Sequence, residues 1–500
     1  MWCIVLSMQQ RGTPVRLRGL MGQNVIPQDA ARPKQAIAGI ALALLMLLLA
    51  LTAISGRQAA TPGTSRATRS YPKEISRITF AAAGDVIPHQ AVVQAAAAQE
   101  HAATAVPLGS SVGSKENATS RAPAANGHDG WDALFREVAD VFQGADFGFV
   151  NLETPVAPVH SRGTKAFQFN APLDLVGALK SSGIKIVSFA NNHVFDQGYP
   201  GFGETLQNLR DQGMLFVGAG DTAEASWKPI IMEKNGIKVG WLGMTRWLNG
   251  GRNPEKDGEP HVAFFPYPGE SLGAAGSDEA SVLEAIKAAR AQCDLLLVSI
   301  HWGLEYATAP RPVDVDVAHD MLEAGASAVI GHHPHVLQPI ETYLTRDQRS
   351  TIVAYSLGNF LSNQSSTYVN GLTPDKAGEP RDSLVIKFAA VKKDYGPAGI
   401  RVELGDVGIM PVWTENNRLL VKSGRSQLLS IRPVFMDCEI ARLQALYDEL
   451  DHLGPQLSSE QKREYVQVSN QLEMLKHRRE LLLARTGDEF LIAPPIPQSH

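Results

Sequence analysis

The sequence predicts an α/β protein with a mixed β-sheet. Three observations carry that expectation. From residue 131 onward, short apolar or β-branched runs alternate with segments of helical spacing, as strand–helix–strand units do. Two of the runs flank Asn235-Gly236, a hairpin signal that adds antiparallel pairing. Several runs stop in His, Asp, Glu or Asn, which delivers those side chains to one rim of the sheet, where α/β proteins bind ligands.

The first element along the chain is 36–54, uncharged and dominated by Ala, Leu and Ile. As a helix it spans about 28 Å, close to the hydrocarbon thickness of a bilayer. Arg11, Arg16, Arg18, Arg32 and Lys34 precede it and Arg57 follows, a modest charge asymmetry. Ala50-Leu51-Thr52-Ala53 would suit signal cleavage, but the apolar run is longer than a signal-peptide core. An uncleaved single-pass transmembrane helix at 36–55 is expected, with 1–35 cytoplasmic and the main domain extracytoplasmic. Residues 56–76, rich in Ser, Thr, Arg and Gly, read as a flexible tether.

A globular domain is expected over 77–430. Its first strand ends at Gly84-Asp85. Segment 99–130 turns to Ala, Ser, Gly and Asn and is expected to be an inserted loop with little order. Its Asn117-Ala118-Thr119 matches a glycosylation sequon, a pattern common by chance. Then follow a predicted helix at 131–142, strand 147–152, helix 173–180 stopped near Gly183, strand 184–189, helix 204–212 ending at Gly213, and strand 215–217. The hairpin pairs 230–232 with 237–242. Segment 243–280, rich in Gly, Pro and Asn, is expected as a long loop beside the pocket. Helix 282–291 precedes strand 295–300, helix 315–324 precedes strand 328–330, and strands are predicted at 352–356 and 384–391. Beyond 430 the character changes. Ile440, Leu443, Leu446, Tyr447 and Leu450 share one helical face, and Tyr465, Val468, Leu472, Leu475 and Leu481 continue the pattern past Gly454-Pro455. A C-terminal helical hairpin within 431–500 is expected, packed on the main domain or offered to a partner as a coiled coil.

Composition excludes some functions. A net charge of −5 over 500 residues, with Lys and Arg scattered, gives no footprint for nucleic acid. Cys3, Cys293 and Cys438 lie far apart without a CxxC, so neither a cysteine metal site nor a disulfide framework is indicated. No GxxxxGK[ST] loop occurs, which argues against an ATP-driven ligase.

The polar clusters carry the chemistry. His301 follows an apolar run. His333 and His335 are one residue apart, so in an extended segment both point to one face and can share a metal. Asp85 and Glu153 each end a strand and offer anionic oxygens, and Asn192 offers a carbonyl oxygen. His, Asp, Glu and Asn together form a ligand set for a hard or borderline divalent metal. His193 has Asp196 three residues on, close enough to orient its ring. Trp302, Glu305, Tyr306 and Asn359 are candidates for the pocket's substrate side.

Together these clusters resemble the CapA family of capsule and poly-γ-glutamate synthesis proteins. The matching segments are GDVIPH at 84–89, NLETP at 151–155, ANNHVFDQG at 190–198, HWGLEY at 301–306, GHHPHVLQ at 331–338 and YSLGNF at 355–360. Their order and separation also fit, over about 78–363. The family resembles calcineurin-like metallophosphoesterases, which implies metallophosphatase-like stacked mixed β-sheets flanked by helices. On that resemblance Asp85, Glu153, Asn192, His301, His333 and His335 are metal-site residues. His193, with Asp196 beside it, is the acid that protonates a leaving group. The phosphoesterase pattern begins Asp-x-His, whereas Asp85 here is followed by Val86 and Ile87, and Glu153 holds the position of a bridging Asp.

The expected function is that of a membrane-anchored, extracytoplasmic CapA-like protein in the synthesis, export or anchoring of poly-γ-glutamate or a similar anionic capsule polymer. The expected cofactor is a divalent metal ion (Mn, Mg, Zn or Fe), and the expected partners are the polymer and membrane polymer synthase subunits. Two alternatives stand beside it: a metal-dependent phosphoesterase or amide hydrolase of calcineurin-like type, and a non-catalytic assembly subunit of a membrane synthase.

Overall fold

The computed structural model describes residues 71–104, 128–256, 258–268 and 277–495. The expected cytoplasmic segment 1–35, the anchor at 36–55, most of the tether and the sequon at Asn117 lie outside these residues. Among the described residues, no helix is long and apolar enough to cross a membrane.

The strands are β1 (Lys73–Val86), β2 (Phe147–Leu152), β3 (Ile184–Ser188), β4 (Leu215–Val217), β5 (Ala219–Gly220), β6 (Ile230–Lys234), β7 (Ile237–Thr245), β8 (His261–Val262), β9 (Leu295–His301), β10 (Ala328–His332), β11 (Ile340–Leu344), β12 (Ser350–Ala354), β13 (Asn359–Leu361), β14 (Asp382–Asp394), β15 (Ile400–Asn416) and β16 (Ile431–Phe435). One mixed sheet runs β16-β15-β14-β1-β2-β3-β4, with β13 beside the end of β1. A second runs β11-β12-β10-β9-β7-β6, and β5 pairs with β8. The β6–β7 hairpin turns at Asn235 and Gly236, both at positive φ (54° and 69°), as a two-residue type I′ turn requires.

The period of two along β1 sorts its side chains. Phe80 and Ala82 enter a core between the sheets, while Ala81 and Ala83 face helices on the other side. In that central core Phe149 of β2 stacks on Trp241 of β7, ring centroids 4.4 Å apart. Helices Gln90–Thr104, Leu173–Ser181 and Gly198–Asp211 supply Val92, Leu175 and Phe202 to the outer core of the large sheet. Helices Glu279–Arg290 and Pro312–Ala324 supply Ile286 and Met321 to that of the small one. The order is helix, sheet, sheet, helix, the mixed α/β arrangement expected from the alternation.

β1 changes neighbours near its end. It pairs antiparallel with β14 as far as Ala82, then takes β13 in parallel, Asp85 opposite Asn359. The crossing is close: a Cβ on Gly84 would lie 1.8 Å from the Gly358 carbonyl oxygen, so only glycine fits.

Some boundaries differ from expectation. The segment expected as an insert from 99 is helical as far as Thr104, where the run of alanines favours helix over loop. The single helix expected at 131–142 is two, Asp129–Phe135 and Ala139–Gln143. The helix expected from 204 begins at Gly198, because Pro200 in a first turn needs no N–H partner. The region expected to turn helical at 431 opens with β16, paired to β15 in the large sheet. Helices Met436–Leu453 and Ser459–Thr486 then form the expected hairpin, the second opened by a capping box of Ser458 and Gln461. Leu443, Leu450, Val468, Leu472, Leu475 and Leu482 are buried in the same core as Leu384, Ile386 and Trp413, so the hairpin packs on the main domain.

Candidate metal centre

Strand ends place the polar side chains. Asp85 closes β1 opposite Asn151 of β2, and Glu153 follows one residue beyond that strand. Asn192 and His193 leave the end of β3. His301 ends β9 opposite His332 of β10, and His333 and His335 follow in the next turn. The large sheet therefore supplies Asp85, Glu153, Asn192 and His193, and the small sheet supplies His301, His333 and His335. All seven are buried.

Glu153 lies at the centre. Its Oε1 is 3.9 Å from His193 Nε2, 3.9 Å from His301 Nε2 and 3.8 Å from His335 Nε2. Two groups of ligand atoms, Glu153-His333-His335 and Asp85-Glu153-His301, each lie within 4.8 Å of one another and share Glu153. His301 Nε2 is 3.0 Å from Asn192 Oδ1, and His335 Nδ1 is 3.3 Å from Asp85 Oδ2. The turn that carries the histidines is strained: His333 and His335 have φ of 97° and 59°, conformations that persist at functional sites when the surroundings impose them.

The donor set fits a divalent ion in kind, with carboxylates, imidazoles and an amide oxygen. It also fits in what is left unpaired. Glu153 Oε1 and His333 Nδ1 are buried without a hydrogen-bond partner among the described residues. Such atoms cost free energy unless something else satisfies them.

Electrostatics divide the two carboxylates. Burial, then the charge of Asp85, push Glu153 well above the usual carboxylate range. Burial would also raise Asp85, but His332 and His335 beside it outweigh that and hold it well below its ordinary value. His332 Nδ1 is 3.2 Å from Asp85 Oδ1, off the line of a good hydrogen bond. Burial and the neighbouring His333 hold His301 well below the ordinary imidazole range, and burial pushes His333 down to about 3. These imidazoles are neutral near pH 7, the form that binds a metal.

His193 stands at the edge of the same volume. Its Nδ1 is 2.8 Å from Asp196 Oδ2, which also accepts the Phe169 N–H at 2.6 Å. Asp196 thus keeps the proton on Nδ1 and turns Nε2 toward Glu153. The Phe169 ring covers the imidazole at 4.4 Å.

Of the candidates for the substrate side, Asn359 is in the pocket, its Oδ1 3.0 Å from His335 Nδ1. Tyr306 is half exposed, 6.1 Å from the His335 ring. Glu305 is exposed, and its charge reaches Glu153. Trp302 packs in the outer core of the small sheet, stacked on Tyr355 and donating its indole N–H to the Tyr355 carbonyl.

Sequence reasoning missed Asn151, His332 and Asn249. The Asn151 Nδ2 donates to Asp85 Oδ1 at 2.8 Å and lies 3.4 Å from His301 Nδ1. Its spacing of two from Glu153, the argument used for the histidine pair, would have found it. Asn249 accepts from Asn192 at 3.1 Å and lies 3.4 Å from His193 Nε2. It comes from a loop without periodicity, where no sequence signal marks it.

Two facing mixed sheets with a buried carboxylate–imidazole pocket at their shared edge define an α/β protein with a candidate metal centre. The chain belongs to the family described as Bacterial capsule synthesis protein PGA_cap, whose profile matches residues 79–364. It is 30% identical over 270 residues to the PGA biosynthesis protein CapA of Bacillus subtilis (strain 168), covering 53% of this chain and 63% of that protein. It is 30% identical over 246 residues to the Capsule biosynthesis protein CapA of Bacillus anthracis, covering 48% and 56%. The chain thus spans about 60% of the length of these relatives. A crystal structure of a hypothetical protein from Thermus thermophilus aligns at 14% identity and a TM-score of 0.32, over 65% of this chain and 98% of that one.

Proposed function

We propose that this chain is a membrane-anchored, extracytoplasmic CapA-like protein that acts in the synthesis, export or attachment of an anionic capsule polymer such as poly-γ-glutamate. Its pocket holds a divalent metal ion of the Mn, Mg, Zn or Fe type, and its partners are the polymer and the membrane synthase subunits that make it. The names of the relatives support the polymer context. The anchor rests on the uncharged run at 36–54. The observation that carries the metal is the convergence of three imidazoles on one unpartnered carboxylate oxygen of Glu153. A carboxylate-rich polymer needs counter-charge, and in a chain of net −5 a bound cation supplies it most simply.

Asp85, Glu153, Asn192, His301, His333 and His335 would hold the ion. A bound divalent ion polarises a carbonyl or phosphoryl oxygen and acidifies a bound water. His193 presents Nε2 to the same volume with Asp196 holding Nδ1–H, so it can hold or deliver a proton there. Asn359 and Tyr306 border the space in which a polymer segment would lie.

The test is metal content of the purified protein by mass spectrometry, together with polymer output of cells carrying His333→Ala/His335→Ala. Loss of bound metal and of polymer is expected, and unchanged values of both would remove the reading. A second arm measures turnover of a generic phosphodiester with Mn²⁺. A fall of roughly 10²–10⁴ in His193→Ala assigns a chemical step to the pocket, while equal rates leave it a binding site.

A further inference from the structure

Behind the wall of the pocket, Arg246 is buried and has no ion-pair partner among the described residues. It follows β7, its backbone N–H donates to the His301 carbonyl at 2.8 Å, and its side chain points into the outer layer of the small sheet. Only 2% of it is exposed. The Phe265 and Tyr267 rings lie 4.1 and 3.8 Å from the guanidinium carbon, so its flat faces are covered by carbon. Its donors are not satisfied. Among the described residues Nε and Nη1 have no hydrogen-bond partner, and Nη2 has one weak contact, 3.4 Å to the Pro266 carbonyl. Among the described residues, no carboxylate lies within 4 Å of it.

The neighbourhood deepens the deficit. Arg311 stacks on Tyr267 as well, 3.9 Å from the ring centre, so one phenol ring meets two guanidinium groups. The near carboxylate, Asp314, is already committed. It takes Arg311 Nε at 2.9 Å and the Tyr267 hydroxyl at 2.7 Å. Glu279, the next acidic group to act on Arg246, is itself raised by burial and by the charge of Asp320. Two cations therefore share one near anion, and of the two only Arg246 is fully buried. A buried charge of that kind is normally neutralised or fully hydrogen-bonded.

We propose that Arg246 holds a small inorganic anion of the chloride type, bound in the plane of the guanidinium by its free N–H groups. The aromatic faces restrict approach to that plane, and near-complete burial restricts size to a single ion. The ion's role is mechanical and local. The Trp247 ring, next in the chain, lies 6.0 Å from the His333 ring and 5.3 Å from Tyr267, and its indole N–H donates to the Gly303 carbonyl. The Gly303 N–H in turn donates to the Tyr267 hydroxyl at 2.8 Å. Neutralising Arg246 fixes Tyr267 and Trp247, and through them one side of the pocket.

Bromide scatters anomalously and substitutes for chloride. Crystals of the wild-type protein grown in bromide should show an anomalous peak at Arg246, and melting of the full chain should rise with halide along a saturable curve. Arg246→Met, which keeps the aromatic packing, should lose that halide dependence but still fold. An ordered water at Arg246 in place of the anomalous peak, with wild type and variant equally sensitive to halide, would overturn the proposal. A peak displaced by added glutamate oligomer would also overturn it, since the occupant would then be a substrate carboxylate. The crystallographic arm needs no variant and no metal, so it stands or falls separately from the metal reading of the pocket.

Discussion

At the scale of the residue, His89 shows how burial becomes pH dependence. It lies four positions past Asp85, against the Phe169 ring at 5.0 Å, and its Nδ1 is 3.3 Å from the Asn363 N–H. Burial pushes its imidazole down to about 4. The unfolded chain, with an ordinary value near 6.5, therefore takes up the proton first as pH falls. The stability His89 gives is complete above pH 6.5 and is lost as pH drops toward 4, at most about 3 kcal/mol. In urea unfolding of metal-free protein, His89→Gln should flatten the loss between pH 6.5 and 4 by about 2–3 kcal/mol relative to wild type. Parallel pH profiles for the two proteins would refute that account. Residues of this kind were only partly legible in the sequence. The ligand types announce themselves by chemistry and by their position after apolar runs. Asn151 is marked by its spacing of two from Glu153, whereas His332 looks like an ordinary polar residue until the neighbouring strand is known.

At the scale of the element, the C-terminal hairpin was legible because its apolar positions repeat at helical spacing and Gly454-Pro455 interrupts them. What the spacing could not reveal is the latch. Arg478, fully buried on helix Ser459–Thr486, pairs through Nε with Asp382 Oδ1 at 3.1 Å, at the start of β14. Burial pushes Asp382 up to about 6, and the Arg478 charge keeps it from rising further. The favourable charge interaction and the cost of desolvation nearly cancel in such a pair, so breaking it costs more than replacing it. Arg478→Met alone should destabilise by about 3–5 kcal/mol, and Asp382→Leu/Arg478→Met by distinctly less, measured by denaturant midpoint. Equal losses in single and double variants would show that packing, rather than the unpaired charge, sets the penalty. β15 and β16 escaped prediction for a related reason. β16 pairs only with 412–416 of β15, and the first half of β15 is partly exposed, so its apolar signal is diluted by Arg401, Glu403 and Asp406.

At the scale of the whole molecule, the mixed α/β architecture followed from alternation, but the division into two facing sheets did not. Periodicity reports whether a strand is buried, and a strand covered on both sides reads alike in either sheet. That division decides where the pocket lies, because neither sheet owns it. A local lesion in the central core should thus be felt at the rim. Trp241→Leu removes the partner of Phe149, leaving the pocket residues unchanged, and should weaken divalent-ion binding along with stability. Calorimetric titration checks this, and an unaltered dissociation constant in a folded Trp241→Leu protein would show that the two halves are held in place locally.

The divided ownership has a corollary for how such a centre can be lost or regained. Since each half is braced by its own sheet, small slippage between the layers would pull donor atoms apart with every ligand still in place. An intact motif list is then no guarantee of a working centre: homologues with all six side chains could differ in ion affinity solely through the thickness of the filling between their layers.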